Sequence, residues 1–234
     1  MSRHIPFLKI YTGIFLLSGF LLLNTVRTSA QVAAADSLAL VDLFNATGGE
    51  NWTFAFNWKT AAPVPDWYGV QVQDGRVVGL SLNGNNLSGN LPTSIGDLTG
   101  LRLLFLIGNQ LSGPIPETIG QFVNLEILFL FANQFTGEIP STIGNCSSIQ
   151  SISLNNNQLS GKIPDQIGQL NTLQILDLSN NQLTGNIPAN VEFLENLTQI
   201  NLGNNLLDGI IPEELGRCYN LVSINLDDNN FTGT

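Results

Sequence analysis

The chain has 234 residues, 43% of them hydrophobic, and its 18 acidic and 8 basic residues give a net charge of −10. A chain this acidic repels nucleic acid phosphates and anionic lipid, so neither is expected as a partner. One histidine and two cysteines are too few for the clustered ligands of a zinc or iron site. We therefore expect no metal and no cofactor.

Residues 1–30 are typical of a secretory signal peptide. Arg3 and Lys9 supply a positive start, residues 14–23 an apolar run, and residues 28–30 a small-residue exit. The apolar run is short for a membrane span of about 20 residues. We therefore favour cleavage after Ala30 over a retained anchor, and no membrane insertion after cleavage. Cleavage also removes His4, so no Ser-His or Cys-His catalytic pair can form in the mature chain.

Residues 31–78 are predicted to form an N-terminal cap that contains a helix. Asp36 is the expected N-cap of this helix, and Gly48-Gly49 end it. Its apolar face is predicted to consist of Leu38, Leu40, Val41 and Phe44. The bulky residues that follow are expected to seal the core of the first repeat, with a sugar platform as the alternative: Trp52, Trp58, Trp67 and Tyr68.

From residue 80 onward, a frame such as LDLSNNQLTGNIP at residues 176–188 recurs every 24 residues. We assign residues 79–234 to seven repeats, the last of them incomplete. The first apolar position is occupied by Leu80, Leu104, Leu128, Ile152, Leu176, Ile200 and Ile224, and a leucine always follows two residues later. An asparagine recurs at Asn85, Asn109, Asn133, Asn157, Asn181, Asn205 and Asn229, and a glycine four residues after each.

These recurring residues predict a short strand followed by a tight turn. Alternate side chains of a strand point to opposite faces, so the L-x-L pair places two apolar residues in the core. The asparagine amide is expected to pair with backbone groups left inside the coil, forming a ladder. The glycine permits a tight bend, and the proline after it ends regular pairing. A second apolar set is predicted to close the coil: Ile95, Ile119, Ile143, Ile167, Val191 and Leu215, with Leu98, Phe122, Cys146, Leu170, Leu194 and Cys218.

The pattern L-x-x-L-x-L-x-x-N-x-L, extended by L-x-G-x-I-P as in LSGPIPETIG, resembles the plant-specific subtype of leucine-rich repeat proteins. That subtype occurs in plant receptor ectodomains and polygalacturonase-inhibiting proteins. Secreted bacterial leucine-rich repeat proteins have an amino-terminal segment similar to DSLALVDLFNATGGENWT. The resemblance covers residues 36–234. It implies an α/β repeat solenoid, a right-handed horseshoe with a parallel β-sheet on the concave face and short turns and 3-10 segments on the convex face.

Three features bear on the source, on the cysteines and on glycosylation. Plant relatives usually carry a cysteine pair around the W-x-G-V segment, and residues 66–72 carry none, which favours a bacterial relative. Cys146 and Cys218 occupy the same position three repeats apart, about 14 Å at a strand spacing of about 4.8 Å. A disulfide needs Cα atoms within about 7 Å, so both are predicted to be free and buried. Six N-x-S/T triplets would be glycan acceptors only in a eukaryotic secreted protein: Asn45, Asn51, Asn86, Asn145, Asn196 and Asn230.

Residues that flank the L-x-L pair should point out of the coil onto the concave face. In the second and third repeats all six are large and apolar: Leu103, Phe105, Ile107, Ile127, Phe129 and Phe131. The neighbouring repeats are small or polar at the same positions: Gly79, Ser81, Asn83, Ser151, Ser153 and Asn155. A contiguous apolar surface of this kind often marks an interaction site. We predict that these six residues form the centre of a partner-binding site; coverage by the cap, by a missing segment or by a second copy is the alternative.

The sequence favours a non-enzymatic extracellular module, secreted or at the cell surface, that binds a protein or peptide on its concave face. One alternative is a binder of carbohydrate, cell-wall polysaccharide or ice, although the irregular outward row argues against ice. The sequence argues against a hydrolase, because the paired carboxylates Glu213-Glu214 and Asp227-Asp228 are expected on solvated surfaces. We assign no catalytic residue. Since the sequence stops inside the seventh repeat, an N-terminal ectodomain fragment of a larger receptor is a further alternative.

Overall fold

The computed structural model describes residues 32–233, and the predicted signal peptide lies outside them. The first described element is helix α1, Ala34–Ala46. Ala33 is its N-cap, so the prediction that Asp36 caps the helix is wrong. Asp36 is buried inside the first turn. Its carboxylate accepts hydrogen bonds from the Val77 amide (2.7 Å) and the Arg76 guanidinium (2.9 Å), which joins the helix to the first repeat.

Three tryptophans close the amino-terminal end of the core, as predicted. Trp52, Trp58 and Trp67 are at most 6% exposed, and the ring centroids of successive tryptophans are 4.9 and 5.0 Å apart. Each indole N–H donates to a backbone carbonyl at 2.9–3.0 Å. A buried N–H group without a hydrogen-bond partner costs free energy, so these hydrogen bonds allow the three indole rings to be buried.

Two residues predicted to belong to this apolar set are exposed instead. The buried face of α1 passes through Asp36, Leu40 and Leu43, at the i, i+4, i+7 spacing of a helix, which turns Leu38 toward solvent. Tyr68 is 36% exposed, because its ring packs against two other exposed rings and not against the tryptophans.

Fourteen strands follow α1 within the described residues. They are β1 Val70–Gln73, β2 Arg76–Ser81, β3 Ser88–Asn90, β4 Leu103–Phe105, β5 Gln110–Pro114, β6 Ile127–Phe129, β7 Gln134–Gly137, β8 Ser151–Ser153, β9 Gln158–Gly161, β10 Ile175–Asp177, β11 Gln182–Gly185, β12 Gln199–Asn201, β13 Leu206–Leu207 and β14 Ser223–Asn225.

Strand β1 and the even-numbered strands from β2 to β14 form an eight-stranded sheet. Its order is β1-β2-β4-β6-β8-β10-β12-β14. Strands β1 and β2 are antiparallel, and every later neighbour is parallel, with residue i opposite residue i+24. A second sheet has the order β13-β11-β9-β7-β5-β3. The 24-residue period of the sequence is therefore the register of the sheet.

The core lies between these strands and the 3-10 segments, as the L-x-L pattern predicts. From Leu80 to Leu202, no residue of an L-x-L pair is more than 1% exposed. The second apolar set is at most 5% exposed throughout. Ile224 departs from this pattern at 52% exposed, because β14 is the edge strand of the described sheet.

The predicted asparagine ladder is present. The Nδ2 of Asn133 donates to the carbonyls of Leu106 (2.9 Å) and Leu130 (3.1 Å), and its Oδ1 accepts from the Leu111 amide (3.1 Å). The equivalent asparagines from Asn109 to Asn229 repeat these donor bonds. Each amide therefore joins its own repeat to the one before it.

The glycine and proline of each repeat also act as predicted. Gly113 has φ +70°, and a Cβ added there would lie 2.7 Å from Asn90 Oδ1, so a larger residue would be strained and crowded. The proline residues precede 3-10 helices at Thr93–Asp97, Glu117–Gln121, Ser141–Asn145, Asp165–Gln169, Ala189–Phe193 and Glu213–Arg217. Two further 3-10 helices, Gly49–Asn51 and Val64–Asp66, lie before β1.

Both cysteines are free and buried, which confirms the prediction. The Sγ of Cys146 donates to the Ile119 carbonyl (3.3 Å) and that of Cys218 to the Val191 carbonyl (3.2 Å). Burial raises the pKa of Cys146 to about 12 and also raises that of Cys218. Such thiols are poor nucleophiles.

Candidate functional site

The six residues predicted to form the binding site lie on, or two residues beyond, two adjacent strands. Leu103 is opposite Ile127, and Phe105 is opposite Phe129, in the parallel register of β4 and β6. The core leucines of these strands alternate with them in sequence, so the six side chains project from the opposite side. We call that side the outer face of the eight-stranded sheet. We call the six residues the apolar patch: Leu103, Phe105, Ile107, Ile127, Phe129 and Phe131.

The phenylalanine rings of the apolar patch contact one another. The centroids of Phe105 and Phe129 are 5.4 Å apart at 43°, and those of Phe129 and Phe131 are 6.1 Å apart at 60°. These tilted arrangements are favourable for aromatic pairs. The rings thus form a continuous row across β4 and β6.

Exposure within the apolar patch is uneven. Five of the six residues are partly exposed, whereas Phe129 is only 4% exposed. The expectation that all three rings stand out in solvent is therefore wrong for Phe129, which lies in ring contact with both other phenylalanines. Phe129 nevertheless does not belong to the cluster of residues that forms the hydrophobic core.

The backbone beneath the apolar patch is held by regular hydrogen bonds. The Leu82 amide donates to the Phe105 carbonyl (2.9 Å), and the Leu106 amide to the Phe129 carbonyl (3.0 Å). The Ile107 amide donates to Asn83 Oδ1 (2.9 Å). The patch therefore sits on a scaffold with little freedom to rearrange.

Beyond the apolar patch the outer face becomes polar. On β10, Oδ1 of Asp177 accepts hydrogen bonds from the Ser179 hydroxyl (2.7 Å) and amide (3.1 Å). The Asn201 amide on β12 donates to the same hydroxyl (3.1 Å). Burial raises the pKa of Asp177, and hydrogen bonds from Ser179 and Asn201 partly oppose this effect. A carboxylate therefore occupies a desolvated place on the outer face, two strands from Phe129.

A second aromatic surface, in the segment before β1, was not predicted. Phe54, Phe56 and Tyr68 are 41%, 65% and 36% exposed, with centroids 5.4–6.2 Å apart. The Asn85 side chain accepts from the Phe54 amide (2.6 Å), which places this group beside the first repeat. The alternation of Phe54, Ala55 and Phe56 was the available signal, because it is the period that puts two rings on one side.

Residues 32–233 contain no group of three or more His, Cys, Asp or Glu side chains placed to hold a metal ion. In the same range, no helix has the length and apolar character needed to cross a bilayer.

Comparison with known proteins identifies the repeats. Models of the leucine rich repeat match residues 76–98, 100–122, 124–146, 137–183 and 196–218. An Arabidopsis thaliana protein described as a "Probable inactive receptor kinase" is 44% identical over 87 residues, which cover 37% of this chain and 13% of that protein.

Two solved structures extend the similarity. The crystal structure of a Pollen Receptor Kinase 3 is 32% identical, with a TM-score of 0.72, over 83% of this chain and 95% of that chain. The plant peptide hormone receptor RGFR1, in complex with RGF2, is 42% identical with a TM-score of 0.67, over 68% of this chain and 26% of that chain. These similarities confirm the predicted solenoid with its parallel sheet and 3-10 segments.

Proposed function

We propose that this chain, which belongs to the leucine-rich repeat family, is a non-enzymatic extracellular module that binds a protein or peptide on the outer face of its eight-stranded sheet. The apolar patch is the centre of the binding site. The observation that carries the proposal is the row of contacting phenylalanines on β4 and β6, next to strands that are small or polar at the same positions.

The location of the apolar patch suits recognition. Buried aromatic anchors surrounded by a polar rim supply most of the binding free energy in protein interfaces. Phe105 and Phe131 are partly exposed beside the nearly buried Phe129, and polar residues follow on β8 and β10. Because the backbone is already ordered, binding costs little further loss of conformational freedom.

The similarity to receptor structures supports this class of function. The RGFR1 structure contains RGF2 as a bound partner of a peptide hormone receptor. A protein or peptide partner, and a secreted or cell-surface location, are therefore the assignments that the relatives favour for this chain. The chain spans 13% of the curated relative and 26% of the RGFR1 chain, so any further activity of those proteins is not part of the proposal.

The proposal is tested by affinity capture from culture medium of the source with the immobilised protein, followed by mass spectrometry. Phe105→Ser removes an anchor from the apolar patch while leaving the core intact, so it should abolish capture of the partner. Phe193→Ser is the matched control, because Phe193 lies on the 3-10 helix Ala189–Phe193 and is 56% exposed. Circular dichroism of each variant verifies folding.

Unchanged capture by Phe105→Ser would overturn the proposal. Binding of carbohydrate is the competing function, since exposed rings can also stack on sugars. A glycan array separates the two: specific glycan binding that is lost with Phe105→Ser, together with no captured protein or peptide, would replace protein recognition by carbohydrate recognition.

A further inference from the structure

One row of outer-face residues crosses the sheet from apolar to acidic. Phe105, Phe129, Ser153, Asp177 and Asn201 are successive partners in the parallel register of β4, β6, β8, β10 and β12. Adjacent strands are about 4.8 Å apart, so Phe129 and Asp177 are separated by about 10 Å. A peptide in the polyproline II conformation rises about 3.1 Å per residue with three residues per turn, so side chains three residues apart lie on one side and span that distance.

Asp177 is the charged residue of this row. It is 3% exposed, and within residues 32–233 no basic side chain forms an ion pair with it. The hydrogen bonds from Ser179 orient the carboxylate but do not neutralise it. A buried carboxylate without a cation is costly, and a bound cation would offset that cost.

The charge of the outer face also favours a cationic ligand. In the even-numbered strands from β2 to β14 and the two residues after each, the outward carboxylates are Asp177 and Asp227, and there is no outward lysine or arginine. Of the basic residues of the described chain, Arg76 is the first residue of β2 and is paired with the buried Asp36 at 2.9 Å. The others lie outside these strands: Lys59, Arg102, Lys162 and Arg217. Arg102, which precedes β4, is already paired with Glu126 at 2.7 Å. A cationic ligand therefore meets attraction across this face, and an acidic ligand meets repulsion.

A hydroxyl without a hydrogen-bond partner lies on β8, the strand between Phe129 and Asp177, in the register row next to theirs. Ser151 on β8 is 5% exposed, and its Oγ has no hydrogen-bond partner among the described residues. A buried polar group without a partner is rare in folded proteins and calls for an explanation such as a ligand contact. Ser151 occupies the strand that a ligand must cross to reach from the apolar patch to Asp177.

We propose that the site takes a peptide in the polyproline II conformation that presents an aliphatic or aromatic side chain to the apolar patch and, three residues away, a lysine or arginine to Asp177. This inference rests on the proposed function and specifies its ligand. The peptide crosses β8, where its backbone meets Ser151. The pairing of a cation with Asp177 sets which peptides bind, and the apolar patch supplies the anchor.

The test is selection of a phage-displayed random twelve-residue peptide library on the purified protein. Enriched sequences should combine an apolar residue with Lys or Arg three positions away, and Asp and Glu should be depleted. Selection on Asp177→Asn should lose the enrichment of Lys and Arg but keep that of apolar residues. Asp165→Asn, an exposed carboxylate on the 3-10 helix Asp165–Gln169, is the matched control and should select the same sequences as the wild type.

A synthetic copy of the best selected peptide gives a quantitative check by fluorescence anisotropy. Replacing its cation with Gln should weaken binding about tenfold on the wild type, as expected for a charge-assisted hydrogen bond, and less than twofold on Asp177→Asn. Peptides enriched through apolar residues alone, or unchanged selection on Asp177→Asn, would overturn this inference and leave the proposed function standing. No enrichment over Phe105→Ser would overturn both.

Discussion

Strands β4 and β6 resemble β10 and β12 in the residues that face the core but differ from them in the residues on the outer face. The core residues Leu104 and Leu128 in the first pair, like Leu176 and Ile200 in the second, are at most 1% exposed. On the outer face, the first pair carries Phe105 and Phe129, whereas the second pair carries Asp177 and Asn201.

Each strand contributes both to the stability of the core and to the binding surface of the outer face. Because side chains alternate along a strand, the inward residues can satisfy the core while the outward residues change freely. Stability should therefore be similar in the two regions, whereas recognition should differ.

Truncating the core should cost the same in both regions. Leu128→Ala and Leu176→Ala each remove a buried side chain and leave a cavity, so each should lower the free energy of unfolding by about 2–5 kcal/mol. Denaturant titration measures the loss, and Val123→Ala, at a half-exposed site, is the control and should cost little. A loss in only one region would show that the repeats do not share an equivalent core.

The asparagine ladder should also contribute equally in both regions. Asn133→Ala and Asn181→Ala each leave buried backbone carbonyls and an amide without their partner. The expected cost is on the order of 3 kcal/mol for either variant. Asn124→Ala, which removes one exposed hydrogen bond to the Thr99 carbonyl, provides the comparison in the same titration. Equal stability of all three variants would contradict a structural role for the ladder.

The region of the apolar patch carries one local strain that the polar region lacks. Ala132 follows Phe131 with φ +56°, whereas Asn156, Asn180 and Asn204 occupy the equivalent positions with φ +55°. An alanine pays a steric cost there that glycine avoids, so Ala132→Gly should raise the free energy of unfolding by about 1 kcal/mol. Ala189→Gly, in a 3-10 helix, should instead be neutral or destabilising. Destabilisation by Ala132→Gly would contradict the strained backbone.

The outer face of the polar region should show a pH-dependent effect. Because burial raises the pKa of Asp177, the folded state holds this proton at higher pH than the unfolded state. The charged carboxylate therefore destabilises the fold above its folded pKa, and protonation relieves this as the pH falls toward the ordinary value of about 3.9. Asp177→Asn should be more stable than the wild type at pH 7, and the difference should shrink on acidification in thermal melts. A difference that grows as the pH falls would contradict this sign.

Much of this architecture could be predicted from the sequence, because the 24-residue period determines which residues lie opposite one another in neighbouring strands. The L-x-L core, the ladder represented by Asn133, the bend at Gly113 and the free cysteines all follow from spacing and side-chain chemistry. The placement of the six apolar residues on adjacent strands followed from the same alternation.

Other features depend on how side chains pack in three dimensions. Periodicity gives the direction of Phe129 but not the ring contacts that accompany its burial. Asp36 matched a capping residue in sequence, yet it is used for an ion pair with Arg76. Tyr68 and Phe54 lie outside the repeat, where no period separates an exposed aromatic residue from a buried one.

The most direct test of the account is to photo-crosslink the captured partner or the selected peptide from either side of the molecule. A benzophenone amino acid replaces Phe105 on the outer face in one variant and Phe193 on the opposite 3-10 surface in the other. Recognition by the outer face predicts efficient crosslinking from position 105 and background levels from position 193. Crosslinking from position 193 with none from position 105 would contradict recognition by the outer face.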